Sequence, residues 1–157
     1  MQPKILFHRL RKKLNRQLVG TYDSTGAVNR HSLSNLILRP GTTRETLLAV
    51  LAPFNSELAN WWFVKRYGLL MEVAGFKVSK MPLPAKWEAA TAGMVSPVQR
   101  MLELNKKKSL GKLAPSEFDR LEREIATTDA ELDNLVYALY GITQDERNVI
   151  ERNNPPL

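Results

Sequence analysis

Leu135-Val-Tyr-Ala-Leu-Tyr-Gly-Ile-Thr-Gln-Asp-Glu-Arg-Asn-Val-Ile-Glu151 reads as a helix end, a glycine stop and a new helix start in one phrase. Gly141 supplies the residue that a left-handed helix terminus favours, and Thr143 with Glu146 has the spacing of a capping box. The apolar positions continue upstream: Phe118, Leu121, Ile125, Thr128, Leu132, Leu135, Leu139 and Ile142 follow one another in steps of three and four from Pro115 onward. That is heptad spacing, and it predicts a long amphipathic helix. Thr128 with Glu131 repeats the capping spacing, so an interruption of the helix is expected there. Such a stripe packs either on a neighbouring helix of its own chain or on a partner protein, and spacing alone leaves both open.

Working back from this phrase, Ser96-Pro97 predicts a helix start, with Val98, Met101, Leu102 and Asn105 on one face before Lys106-Lys-Lys108 and Gly111 end the run. The half that precedes is built differently. Lys4–Leu10, Gln17–Tyr22 and Leu33–Leu38 carry strand signals separated by the turn residues Asp23-Ser-Thr-Gly26 and Pro40-Gly41. At Thr43–Leu51 the period becomes helical and is expected to break at Pro53. Asn55 or Ser56 can cap a second helix that runs through Trp61, Trp62, Val64 and Lys65 to a stop at Gly68. Gly75–Lys80 returns to alternation and predicts a strand ending in Met81-Pro-Leu-Pro84. The fold class expected is α/β: a mixed-sheet unit over residues 1–90, a helical spacer over 91–153 in the form of a hairpin or short coiled-coil-like bundle, and a tail over 154–157.

Charge follows the same division. The net charge is +7, yet residues 1–85 hold 13 Lys and Arg against 4 Asp and Glu, a balance of +9, and residues 86–157 hold 10 against 12, a balance of −2. An asymmetry of this kind is the electrostatic footprint of a chain whose first half meets a polyanion. At 157 residues, 43% hydrophobic and 25% charged, the chain can bury a real core. It has no cysteine, which excludes disulfides, thiolate metal sites and cysteine nucleophiles. His8 and His31 are too few for a histidine-based zinc site without several carboxylates in support. No apolar run approaches the roughly 20 residues that span a bilayer, and the start Met1-Gln-Pro-Lys-Ile-Leu-Phe lacks the form of a signal peptide, so a cytoplasmic protein is expected.

Four segments together carry a resemblance. They are Lys4-Ile-Leu-Phe, Leu47-Leu-Ala-Val-Leu-Ala-Pro-Phe-Asn-Ser-Glu-Leu-Ala-Asn-Trp-Trp-Phe63, Lys77-Val-Ser-Lys-Met-Pro-Leu-Pro84, and Asp133 to Glu151 containing the opening phrase. In this order they resemble the TaqI-like C-terminal specificity domain of type IIG restriction-modification enzymes and related adenine-N6 DNA methyltransferases. The resemblance implies a target-recognition module that clamps double-stranded DNA and reads its sequence, and that performs neither methyl transfer nor cleavage itself. It further implies a methyltransferase or endonuclease domain or subunit as partner, in cis or in trans. The chain is then either a piece of a longer enzyme or a separate small subunit, and the expected alternative is a helical oligomerisation or scaffold protein that self-associates or binds another subunit through its heptad stripe.

A DNA reader needs Lys and Arg for phosphates and Arg, Asn, Gln or Ser for base edges. Arg9, Arg11, Lys12, Lys13, Asn15 and Arg16, with Gln17, supply both types in one loop, and Arg30, His31, Lys65 and Lys77 are expected beside them, with Arg66 and Lys80 nearby. Trp61, Trp62, Phe63 and Tyr67 have the residue types that stack on bases, but their helical spacing assigns them to the core. Asn153-Asn-Pro-Pro-Leu157 imitates the Asn-Pro-Pro-aromatic motif of adenine-N6 methyltransferases, but its last residue is leucine and no glycine-rich cofactor loop precedes it. Asp23, Ser24 and His31 are turn residues with no triad spacing, and Glu117, Asp119, Glu122 and Glu124 read as solvated helix surface. No catalytic residue, cofactor or metal is therefore expected.

Overall fold

The structure, a computed structural model, describes residues 2–10, 16–37, 39–84, 87–111 and 113–153. It is mixed α/β: three strands, β1 (Lys4–His8), β2 (Gly20–Asp23) and β3 (Leu33–Leu36), and six helices among the described residues. The strands form one antiparallel sheet in the order β2-β1-β3. Its register sets Ile5 opposite Tyr22 and Leu36, and Phe7 opposite Gly20 and Ser34. Opposed residues share a face, so these six define the inner side of the sheet.

That side is covered by α1 (Arg44–Asn55), in which every residue from Leu47 to Phe54 is buried. A helix apolar all round must be enclosed on all sides. On one side the Phe54 ring meets Phe7 at a centroid distance of 5.6 Å; on the other lie Met94 and Val98 of α4 (Trp87–Leu110) and Val136 of α5 (Pro115–Tyr140). One apolar cluster thus joins the sheet, α1, α4 and α5, and position 90/91 falls inside α4. A second cluster gathers Phe7, Leu18, Phe54, Ala59, Phe63, Val73 and Val78 beneath α2 (Glu57–Tyr67) and α3 (Gly75–Val78). The last helix, α6 (Gln144–Asn153), packs beside α2 and buries Ile150.

Helix punctuation follows the residues closely. Thr43 and Ser56 cap α1 and α2 through their side-chain oxygens, α2 stops at Gly68, and α5 ends at Gly141 in the left-handed region with φ 67°. The Thr143 hydroxyl oxygen accepts from the backbone N–H of Glu146 at 3.3 Å, while the Glu146 carboxylate accepts from the backbone N–H of Thr143 at 2.8 Å, completing the box. The heptad stripe of α5 lies against α4 and α1 within the chain: Leu121 and Thr128 are buried, and Leu132, Leu135 and Leu139 pack on the central cluster.

Other expectations are corrected. Gly75–Lys80 is a helical turn, α3, and not a strand: Lys77 and Val78 donate to the carbonyl of Ala74, and the turn places Val78 in the core and Phe76 outside. Pro97 does not open a helix but sits inside α4, which begins ten residues earlier. Thr128 does not interrupt α5; its hydroxyl donates to the Glu124 carbonyl one turn back at 2.8 Å. α1 continues two residues past Pro53 to Asn55. β1 ends at His8, with Leu10 making an isolated bridge to Glu72; β2 begins at Gly20 and β3 ends at Leu36, each shorter than expected. Among the described residues no helix is long and apolar enough to cross a membrane. The expected tail over 154–157 lies outside the described residues.

Candidate nucleic-acid interface

The chain leaving β1 meets two different surroundings. At its start, Arg9 donates its backbone N–H to Ser32 at 2.9 Å and accepts from Val73 at 2.7 Å, so the end of β1 is held between the start of β3 and the segment that follows α2. The Arg9 side chain, 41% exposed, pairs with Glu72 through Nε at 2.6 Å. Arg30 and His31 are exposed in the turn that closes when Leu33 donates to the Arg30 carbonyl at 3.1 Å, one residue from Ser32. Arg9, Arg30 and His31 therefore share this end of the sheet.

Lys65 and Arg66 lie exposed in the last turn of α2, where the helix dipole favours cations. Arg66 stands 5.7 Å from the centroid of the Tyr67 ring on which Lys77 also rests at 5.2 Å, and Lys77 reaches the Phe76 ring at 5.9 Å. All three contacts lie within the range of a cation–π interaction, and Arg66 and Lys77 share one ring. Lys80 is exposed just beyond α3. Lys65 and Arg66 thus precede the loop from Gly68 to Gly75 and Lys77 and Lys80 follow it, while Arg9 is tied to it by the Val73 backbone bond and by its pairing with Glu72, the loop's carboxylate.

Arg16, expected among the phosphate contacts, points the other way. Its guanidinium donates to the Asn55 carbonyl at 2.6 Å, to both carboxylate oxygens of Asp129 at 3.0 and 2.9 Å and to Asp133 at 2.8 Å, with Glu57 at 3.7 Å. With its side chain only 16% exposed and its donors engaged, it fastens the β1–β2 connection to α5. Burial opposes the Arg16 cation, but Asp133, Asp129 and Glu57 outweigh it and hold its pKa above the ordinary value. Asp133 moves for the opposite reason. Burial costs its anion more than Arg16 returns, and the carboxyl is pushed up to about 6. Its Oδ1 still accepts from the backbone N–H of Glu57 at 2.9 Å, adding a second cap to α2 beside Ser56.

Gln17 is also internal: its backbone N–H donates to Asn60 Oδ1 at 2.6 Å and its Oε1 accepts from Leu70 at 3.2 Å. Asn55 exchanges two bonds with the Gly20 backbone, at 2.7 and 3.0 Å. The Asn55–Ser56 and Asn60 positions of the sequence motif therefore hold strands to helices. Phe63 is buried and Trp62 stands edge-on to Tyr67 at 6.0 Å, so these aromatics pack together. Arg11, Lys12, Lys13 and Asn15 lie outside the described residues. Sequence reading missed Phe76 and Met71, 70% and 77% exposed beside the cations; the strand expected over Gly75–Lys80 masked the first, and the second lies in a stretch without periodicity.

No family model, no curated protein and no solved structure was found to match the chain.

Proposed function

We propose that this chain is the DNA-reading specificity module of a restriction-modification or adenine-N6 DNA methyltransferase system, binding duplex DNA and catalysing no reaction by itself. In this reading the sheet with α1, α2 and α3 is the target-recognition unit, and the α4–α5 hairpin is the spacer that fixes it relative to a catalytic domain or subunit. The observation that carries the reading is the set of cations flanking the Gly68–Gly75 loop, Lys65 and Arg66 before it and Lys77 and Lys80 after it, with Arg66 and Lys77 at one Tyr67 ring and the loop's Glu72 paired with Arg9. Cations so placed meet a phosphate backbone and set register, and Arg30 and His31 in an exposed turn are of the residue types that reach base edges. Arg11, Lys12 and Lys13, which follow Leu10 in the chain, add three positive charges to the basic first half of the sequence, and Asn15 adds an amide of the type that reads base edges. The resemblance of Leu47–Phe63, Lys77–Pro84 and Asp133–Glu151 to the specificity-domain pattern supports it independently.

The test is selection of bound duplexes from a randomised library by the whole chain. One short shared sequence among the recovered molecules is expected. Recovery of duplexes with no common element, together with salt-insensitive self-association of the protein, would overturn the reading in favour of a helical scaffold.

A further inference from the structure

Four large apolar side chains stand exposed at the cationic end of the molecule: Met71 at 77%, Phe76 at 70%, Leu69 at 50% and Leu10 at 38%. Isolated exposed apolar residues are ordinary, but Leu69, Met71 and Phe76 fall in the short stretch 69–76, with Leu10 bridged to Glu72 within it, and such a group marks a contact surface. The loop is anchored at both ends. Val73 and Val78 are buried in the second core cluster, Val73 donates to the Arg9 carbonyl at 2.7 Å, and Leu70 donates to Gln17 at 3.2 Å. Phe76 sits in α3, where Ser79 donates to its carbonyl at 2.9 Å. Its ring is therefore projected outward from a fixed base.

What surrounds these side chains identifies the occupant. Lys77 lies over the Phe76 ring and shares the Tyr67 ring with Arg66, and Arg9 pairs with Glu72, the neighbour of Met71 in the chain. A partner that satisfies both features carries negative charge at its rim and an apolar flat surface within. A duplex opened at one base step has that form, with phosphates outside and bare base faces inside.

Resting on the DNA-reading proposal, we propose that Met71 and Phe76 form a wedge that enters the base stack of the bound duplex, with Lys77 and Arg66 on the flanking phosphates. The module then prefers DNA whose stack is already weakened at one step. Apolar wedges of this kind exchange unstacking of a step for a bent duplex that meets more of the protein.

The experiment compares two fluorescent duplexes of one sequence, fully paired and carrying a single-nucleotide bulge, bound to the whole chain and to the Met71→Ala, Phe76→Ala double variant. The wild type should bind the bulged duplex about tenfold more tightly. The variant should bind both duplexes alike, with an unchanged salt slope and an unchanged melting temperature, because both side chains are exposed. Equal wild-type affinities for the two duplexes, or a preference that survives in the variant, would overturn the wedge while leaving DNA reading intact. Failure to bind either duplex would overturn DNA reading and the wedge with it. Capture by anionic phosphatidylserine vesicles, abolished in the variant while the duplexes remain undistinguished, would assign the surface to lipid and overturn the wedge.

Discussion

Gly20 shows how one missing side chain shapes the core. A Cβ there would stand 3.0 Å from Ile5 Cγ2 and 3.0 Å from Phe54 Cε1, so the sheet and α1 approach each other through the space that glycine leaves. Gly20→Ala is expected to lower the unfolding free energy by about 1–3 kcal/mol, read from the urea midpoint; an unchanged midpoint contradicts that packing. Asp133 gives a second prediction. Its folded-state pKa, about 6, lies above the ordinary value of 3.8, so the folded chain binds this proton more tightly than the unfolded chain. The group therefore costs stability above pH 6, and the cost is relieved as pH falls through 6 toward 3.8. Urea unfolding at pH 5 should exceed that at pH 7 by about 1 kcal/mol more in the wild type than in Asp133→Asn. An identical pH response in both proteins would contradict this account. Neither residue's role was legible in the sequence. Arg16, which makes Asp133 matter, sits in a run that reads as one basic loop, and its acidic partners are 113 and 117 residues away.

Among the elements, those defined by local chemistry were legible and those defined by tertiary contact were not. Ser56, Gly68, Gly141 and the Thr143–Glu146 box end or begin helices by bonds within a few residues, and each acts where the sequence indicates. α3 escaped because four residues contain no period, and the alternation of Phe76 and Val78 fits a strand as well as a turn. Pro97 misled more instructively. Proline is favoured at a helix start and costly in the interior, yet Met94 and Val98 on either side of it are buried against α1, and packing of that face carries α4 through the lost bond. Pro97→Ala restores a backbone donor only if the helix is already formed upstream. It is expected to raise stability by about 1–2 kcal/mol in thermal or urea unfolding. A neutral or destabilising result would place the helix start at Ser96–Pro97 instead.

For the molecule as a whole, the two halves read from charge are joined by one core. α1 lies between the sheet on one side and the α4–α5 hairpin on the other, so the position of the basic face is set by the same helix that seats the hairpin. The sequence indicated a basic first half but not its arrangement. Arg16 turns inward to the acidic α5, whereas Lys65 and Arg66 end α2 and Lys77, carried by the short α3 turn, meets the same Tyr67 ring as Arg66. On the function proposed above this face binds the phosphate backbone of duplex DNA, and the binding constant should then fall steeply as salt rises. A plot of log K against log salt should be linear with a slope of about −4 or steeper, and Lys65→Gln with Arg66→Gln should reduce the slope by about 1 to 2. Binding that ignores salt, or a slope unmoved by that double substitution, would contradict it.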